Sequence, residues 1–266
     1  MIKLIACDLD GTLLDSQKRL PDRFPGLIDA LTERGVLFVP CSGRAVYSLQ
    51  DSFADYVEQM GFICENGCAV LDRGELVHFS DMVNDEVTEL LDEISRVEQL
   101  FPVVCGLKGC YVSGGDEEVI EHVRRYFSNV HVLTDVREGL RLDRICKIAN
   151  VDGIDVLTNS FVRLGHLSDR FTLMPSGDQW LDIVKKGESK GTALRLLMAR
   201  LGISPDETMA FGDFINDLSL MTACTHSWAM KNGHRDVKAA ASAVTDFTND
   251  EDGVVSTIAR ELNLSI

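Results

Sequence analysis

The sequence predicts an α/β fold, a doubly wound, Rossmann-like parallel sheet whose chain is interrupted by an inserted α+β domain. Three observations carry that prediction. Short apolar runs alternate with segments of helical period at both ends of the chain, the rhythm of strand–helix–strand units. That rhythm changes near Ser80 and returns after Gly187. Four polar clusters each stand just past a predicted strand, where open α/β sheets bind their ligands.

The elements come in order. Residues 2–7 form an apolar run ending at Asp8, as a buried parallel strand requires. Residues 24–34 place apolar side chains at helical spacing, and Gly35 stops them. A second buried run, 36–40, leads into Cys41-Ser42-Gly43-Arg44; 45–60 reads as helix and 62–64 as a third strand. Beyond Ser80, 84–99 is an amphipathic helix. Strand candidates then follow at 103–105, 111–112, 130–133, 145–151, 171–173 and 180–184, the first two broken by glycines. After Gly187 the sequence predicts helices at 190–201, 215–224, 235–241 and 254–262, between strands at 208–211, 227–230 and 243–245. The core is therefore expected at 1–81 plus 185–266 and the insertion at 82–184, within the usual size of a domain.

Composition narrows the function. The chain has 266 residues, 45% hydrophobic and 26% charged, enough to bury a full core without metals or disulfides. Its net charge of −16 repels phosphate backbones and anionic lipid heads, which argues against nucleic acid and membrane as partners. No apolar run reaches the ~18 residues of a membrane span. Leu4-Ile5-Ala6-Cys7 spells a lipoprotein box, but no apolar leader precedes it. The eight cysteines contain no Cys-x-x-Cys pair and read as buried thiols of a reducing cytosol. Six scattered histidines disfavour a zinc site.

Chemistry concentrates in the four clusters. In Asp8-Leu9-Asp10-Gly11-Thr12, carboxylates two apart on an extended segment project to one side. They repel unless a cation or a proton lies between them, although Asp and Gly also make ordinary turns. Ser42-Gly43-Arg44 offers a hydroxyl and backbone N–H groups at a helix start, an anion cradle or simply an N-cap. Lys190 follows a capping Ser189, where a cation opposes the helix dipole. An anionic ligand would explain it; a solvated lysine is the plain alternative. In Gly212-Asp213-Phe214-Ile215-Asn216-Asp217 two carboxylates one helical turn apart can face one point. Such oxygens suit Mg²⁺, and acids also simply suit a helix N-terminus.

Taken together and in this order, the clusters resemble the four motifs of the haloacid dehalogenase-like superfamily, and within it the Cof-type phosphatases with a large inserted cap. Glu65-Asn66-Gly67 and residues 249–254 match Cof-type patterns as well. The resemblance covers both core segments; the insertion matches only in length, position and rhythm. It implies a Mg²⁺-dependent phosphatase of small phosphorylated metabolites, sugar phosphates foremost, with Asp8 as nucleophile and Asp10 as acid and base. It implies Mg²⁺ held by Asp8, Asp213 and the Asp10 carbonyl. Ser42, Gly43, Lys190 and Asn216 would bind phosphate, and Asp217, Arg44, Asn66 and Asn249 would support metal or substrate. The cap would choose the leaving group. A phosphomutase and a phospho-ligand-binding protein are the alternatives on the same scaffold.

Overall fold

The computed structural model describes residues 1–176 and 179–266. The chain divides into two compact units. Met1–Ser42, Asp55–Val77 and Ser189–Ile266 form the first; Gly43–Ala54 and His78–Glu188 form the second. The second unit thus reaches past the expected 82–184 at both ends and also takes in 43–54. Ala45 lies in its apolar cluster with Val103, Cys105 and Trp180, which accounts for that grouping.

The first unit is built on an eight-stranded sheet. Its strands are β1 (Leu4–Asp8), β2 (Leu37–Cys41), β3 (Gly61–Cys64), β4 (Ala69–Asp72), β5 (Glu75–Phe79), β12 (Thr208–Gly212), β13 (His226–Ala229) and β14 (Ala243–Val244). They lie in the order β14-β13-β12-β1-β2-β3-β4-β5, and β14 through β3 run parallel. Parallel strands covered on both faces must be apolar throughout, and β1, β2 and β12 are buried at every residue. Helix α6 (Lys190–Leu201) covers one face, with Ala193, Leu194 and Leu197 against Leu4, Ala6 and Val39. Helix α1 (Phe24–Glu33) supplies Phe24, which meets Phe38 of β2 edge-on at 5.7 Å. Helices α7 (Leu218–Met221), α8 (Arg235–Ala240) and α9 (Gly253–Leu262) complete the unit.

Register sets where the polar residues emerge. Asp8 pairs with Cys41 and Cys7 with Phe211. The carboxyl ends of β1, β2 and β12 are therefore level, and Asp8, Ser42 and Asp213 emerge at the same edge.

The second unit carries a six-stranded sheet of β6 (Leu100–Gly106), β7 (Cys110–Ser113), β8 (Val130–Leu133), β9 (Ile145–Asp152), β10 (Phe171–Pro175) and β11 (Trp180–Lys185). The order is β10-β11-β9-β6-β7-β8, antiparallel except for β7 with β8. Alternate residues face opposite sides of a strand. One side packs Val104, Ile148 and Ile183 against Val87, Leu90 and Ile94 of α3 (Asn84–Ile94). The other packs Val103, Cys105 and Ala149 against Ile120 and Val123 of α4 (Glu117–Arg124). Helices α2 (Val46–Ser52) and α5 (Ser160–Arg163) belong here too. No helix among the described residues is long and apolar enough to cross a membrane.

Several expected elements are shorter. The helix expected over 45–60 is α2 followed by a 3₁₀ turn at Ala54–Tyr56, and the Ser52 hydroxyl bonds back to the Ser48 carbonyl, which loosens a helix end. The helix expected over 84–99 ends at Ile94, where Ser95 bonds back to Asp92. The helix expected over 215–224 is a 3₁₀ turn, Ile215–Asp217, followed by α7. Helix α4 and the β4–β5 turn, with Arg73 and Gly74 at positive φ, are additions to the sequence reading.

Candidate active site

The first unit gathers its charged side chains where the strand ends are level. Asp8 closes β1 and is buried. Lys190 opens α6 and is fully buried, its Nζ donating to Asp8 Oδ1 and Asp217 Oδ1, each at 2.6 Å. Ser189 caps that helix by accepting from the Thr192 N–H at 3.1 Å. The cap fixes the first turn, so the lysine stem enters the core against the helix dipole, a cost the two carboxylates offset.

Asp213 follows β12. Its Oδ1 accepts from the Thr12 hydroxyl at 2.9 Å. Gly11 has φ +84, and a Cβ there would lie 2.5 Å from Asp213 Oδ2; only glycine permits this approach. Asp217 does not reach the site by helical spacing. Its Oδ2 accepts from the Asp213 and Phe214 N–H groups at 3.0 and 3.2 Å, which tightens the turn and leaves Oδ1 for Lys190.

These charges shift one another. Burial, then Asp217, push the Asp8 carboxyl well above its usual range, against the pull of Lys190. Burial and Asp217 likewise push Asp213 up to about 6. Burial alone would lower the Lys190 ammonium, but Asp217 and Asp8 hold it above its ordinary value. The two sides of the Lys190–Asp8 pair thus pull in opposite directions. The ammonium, with carboxylate oxygens at 2.6 Å on two sides, stays charged, and the acids are what lack counter-charge.

That shortage is the test of whether a metal fits. Asp8, Asp213 and Asp217 each offer an oxygen, and these lie within 4.8 Å of one another. Hard carboxylate oxygens crowded in a partly closed site suit Mg²⁺. This set adds the Asp217 side chain to the expected Asp8 and Asp213 carboxylates; the Asp10 side chain accepts from the Lys18 ammonium at 2.7 Å.

Of the remaining expected residues, Ser42 is buried; its N–H donates to the Ile63 carbonyl and its carbonyl accepts from the Asn66 N–H. Asn216 Nδ2 donates to Asn66 Oδ1 at 3.1 Å. Asn249 Nδ2 donates to the Leu14 carbonyl at 2.9 Å, tying down the loop that follows Asp10. Gly43 and Arg44 group with the second unit. Cys7 and Cys41 are fully buried, and burial pushes both thiols up, so both remain protonated fillers.

Two contributors escaped the sequence reading. Asn232 Nδ2 donates to the Gly11 carbonyl at 2.7 Å, but Asn232-Gly233 reads only as a turn dipeptide. Lys18 stands at φ +64 in a loop with no sequence signal to mark it.

A sequence model of the haloacid dehalogenase-like hydrolase family matches residues 5–258. The 5-amino-6-(5-phospho-D-ribitylamino)uracil phosphatase YbjI of Escherichia coli K12 is 27% identical over 264 residues, covering 98% of this chain and 96% of the relative. The phosphatase YwpJ of Bacillus subtilis is also 27% identical, covering 95% of this chain and 97% of its own length. Among solved structures, SMU.1108c of Streptococcus mutans UA159 superposes with a TM-score of 0.92 at 28% identity, covering 99% of this chain and 100% of that one.

Proposed function

The chain belongs to the haloacid dehalogenase-like hydrolases and is a phosphoric monoester hydrolase; from that premise we propose that it is a Mg²⁺-dependent phosphatase of small phosphorylated metabolites, sugar phosphates foremost, working through an aspartyl-phosphate on Asp8. One observation carries the reading: a fully buried lysine bridges Asp8 and Asp217 at 2.6 Å, at the strand ends where Asp213 also emerges. A buried ammonium between carboxylates does little for stability. It does much for a reaction in which charge moves onto phosphoryl oxygens.

Lys190 orients the Asp8 carboxylate and neutralises phosphoryl oxygen. An Asp8 oxygen attacks phosphorus in line as the bond to the leaving oxygen breaks. Asp10 gives that oxygen a proton, then takes one from the water that attacks phosphorus and releases the Asp8 carboxylate. Ser42 and the Gly43 backbone hold the phosphoryl oxygens. Asp8, Asp213, Asp217 and the Asp10 carbonyl would hold Mg²⁺, which would supply the positive charge the acids lack.

Substrate choice belongs to the inserted unit in this reading. The sugar-phosphate class is supported by the motif pattern and by the E. coli relative, whose named substrate carries phosphate on a ribityl chain. Free cysteines, seven of the eight buried, support a reducing cytosol as its place. The test is a panel of phosphorylated metabolites assayed for inorganic phosphate with Mg²⁺ present. Phosphate release from sugar phosphates above other classes is expected. Transfer of phosphate between positions without release would overturn the hydrolase reading in favour of a mutase.

A further inference from the structure

The second unit holds a buried lysine of its own. Lys147 lies in β9 in the middle of an apolar run, and its side chain is 1% exposed. Asp182 of β11, with a side chain 5% exposed, stands 3.6 Å from its Nζ. The strands pair Val184 with Lys147 and Asp182 with Ala149, so the two charges are diagonal neighbours on one face. Ser176 Oγ donates to Asp182 Oδ2 at 3.2 Å. Lys147 Nζ also sits 5.7 Å from the centre of the Phe127 ring, and it donates to the Gly43 carbonyl at 2.7 Å.

Stability does not explain this lysine. A buried ion pair is weak evidence for stability, because replacing both partners with apolar side chains of similar volume is often neutral or stabilising. One product of the ammonium is the bond to the Gly43 carbonyl. Glycine has the widest backbone freedom of any residue, and this one follows Ser42 directly. Two planar peptide units flank its Cα. The Asn66 N–H holds the first through the Ser42 carbonyl at 3.0 Å. Lys147 holds the second through the Gly43 carbonyl. With both planes held, φ and ψ of Gly43 are restrained, so the Gly43 N–H in the first plane and the Arg44 N–H in the second keep one direction relative to each other.

We propose that Lys147 is a positioning residue of the phosphate-binding turn: its ammonium, set by Asp182, holds the Gly43 carbonyl and removes the torsional freedom of the glycine that follows Ser42. The inference rests on the phosphatase reading for the identity of the anion. It assigns Lys147 to the phosphoryl group, so its effect is the same whatever the leaving group.

The experiment compares the unaltered protein, Lys147→Met and Lys147→Arg in saturating Mg²⁺. It reads the inhibition constant of inorganic phosphate against an aryl phosphate, and the rise in Tm that inorganic phosphate produces. Inorganic phosphate has no leaving group, so only the turn is probed. Loss of one ordering contact is expected to weaken phosphate roughly tenfold in Lys147→Met. The phosphate-induced rise in Tm should shrink to match. Lys147→Arg keeps a donor and should recover most of both. Asp182→Asn, which keeps its volume, should move both readouts in the same direction by less, and it carries the test if Lys147→Met does not accumulate folded. Unchanged phosphate binding in a folded variant would overturn the inference. So would unchanged phosphate binding with a raised KM for sugar phosphates alone, because that pattern means a leaving-group contact. The Tm readout needs no turnover. A protein that releases no phosphate from any ester therefore counts against the phosphatase reading and is distinguishable from failure of this inference.

Discussion

Each unit of this chain buries a lysine at the edge of its chemistry, and the two are built differently. Lys190 of the first unit is clamped at 2.6 Å by two carboxylates, with a third acid close by. Lys147 of the second unit has its carboxylate at 3.6 Å and a neutral carbonyl at 2.7 Å. Around Lys190 burial, and then the neighbouring Asp217 charge, push Asp8 and Asp213 up despite the ammonium, and a divalent cation would offset that. Around Lys147 the short bond goes to backbone, where an ammonium gives direction. One lysine serves charge neutralisation, the other geometry.

Removing the metal gives the largest expected effect. Chelation should abolish turnover in the unaltered protein and in Lys147→Met alike, measured as phosphate release, and Ca²⁺ should not restore it because it accepts looser, higher coordination. Full activity in excess chelator would break the comparison at its first term. Lys190→Met comes next. It strands carboxylates without their ammonium, a change that costs ~3–5 kcal/mol for buried pairs. Thermal melting should show a large loss of stability, and kcat should fall by roughly 10²–10³ or more, as when an oxyanion-stabilising donor is removed. Lys147→Met strands one buried carboxylate at 3.6 Å where Lys190→Met strands two at 2.6 Å, so its melting loss should be the smaller of the two, while phosphate binding weakens. Equal melting losses in the two variants would erase the distinction between them.

The same contrast explains what could be read in advance. The first unit's chemistry follows strand ends, and a strand end is legible wherever an apolar run stops at a polar residue, as at Asp8, Ser42 and Asp213. Asp217 was legible as a residue but not in its manner, since a side chain folded back onto two N–H groups replaces the helical turn that spacing implied. Lys147 carries a sequence signal of its own, a single charge inside the apolar run 145–151. Helix α4 has only Ile120 and Val123 buried, too few for a period to stand out from its acidic first turn. The grouping of 43–54 with the second unit depends on Ala45 and Gly43 meeting residues about a hundred positions away, and no local pattern encodes such a contact.

The central claim is that Asp8 takes the phosphoryl group and Asp10 handles protons. The direct measurement is rapid quench with intact-protein mass on Asp8→Asn and Asp10→Asn, using an aryl phosphate with a good leaving group and an alkyl phosphate without one. Asp8→Asn should never gain a phosphoryl group. Asp10→Asn should lose roughly 10²–10⁴-fold in its first step with the alkyl ester, which needs the proton. With the aryl ester it should release a burst of phenol without matching phosphate, and carry one added phosphoryl group. An adduct on Asp8→Asn, or normal turnover of both esters by Asp10→Asn, would contradict the account.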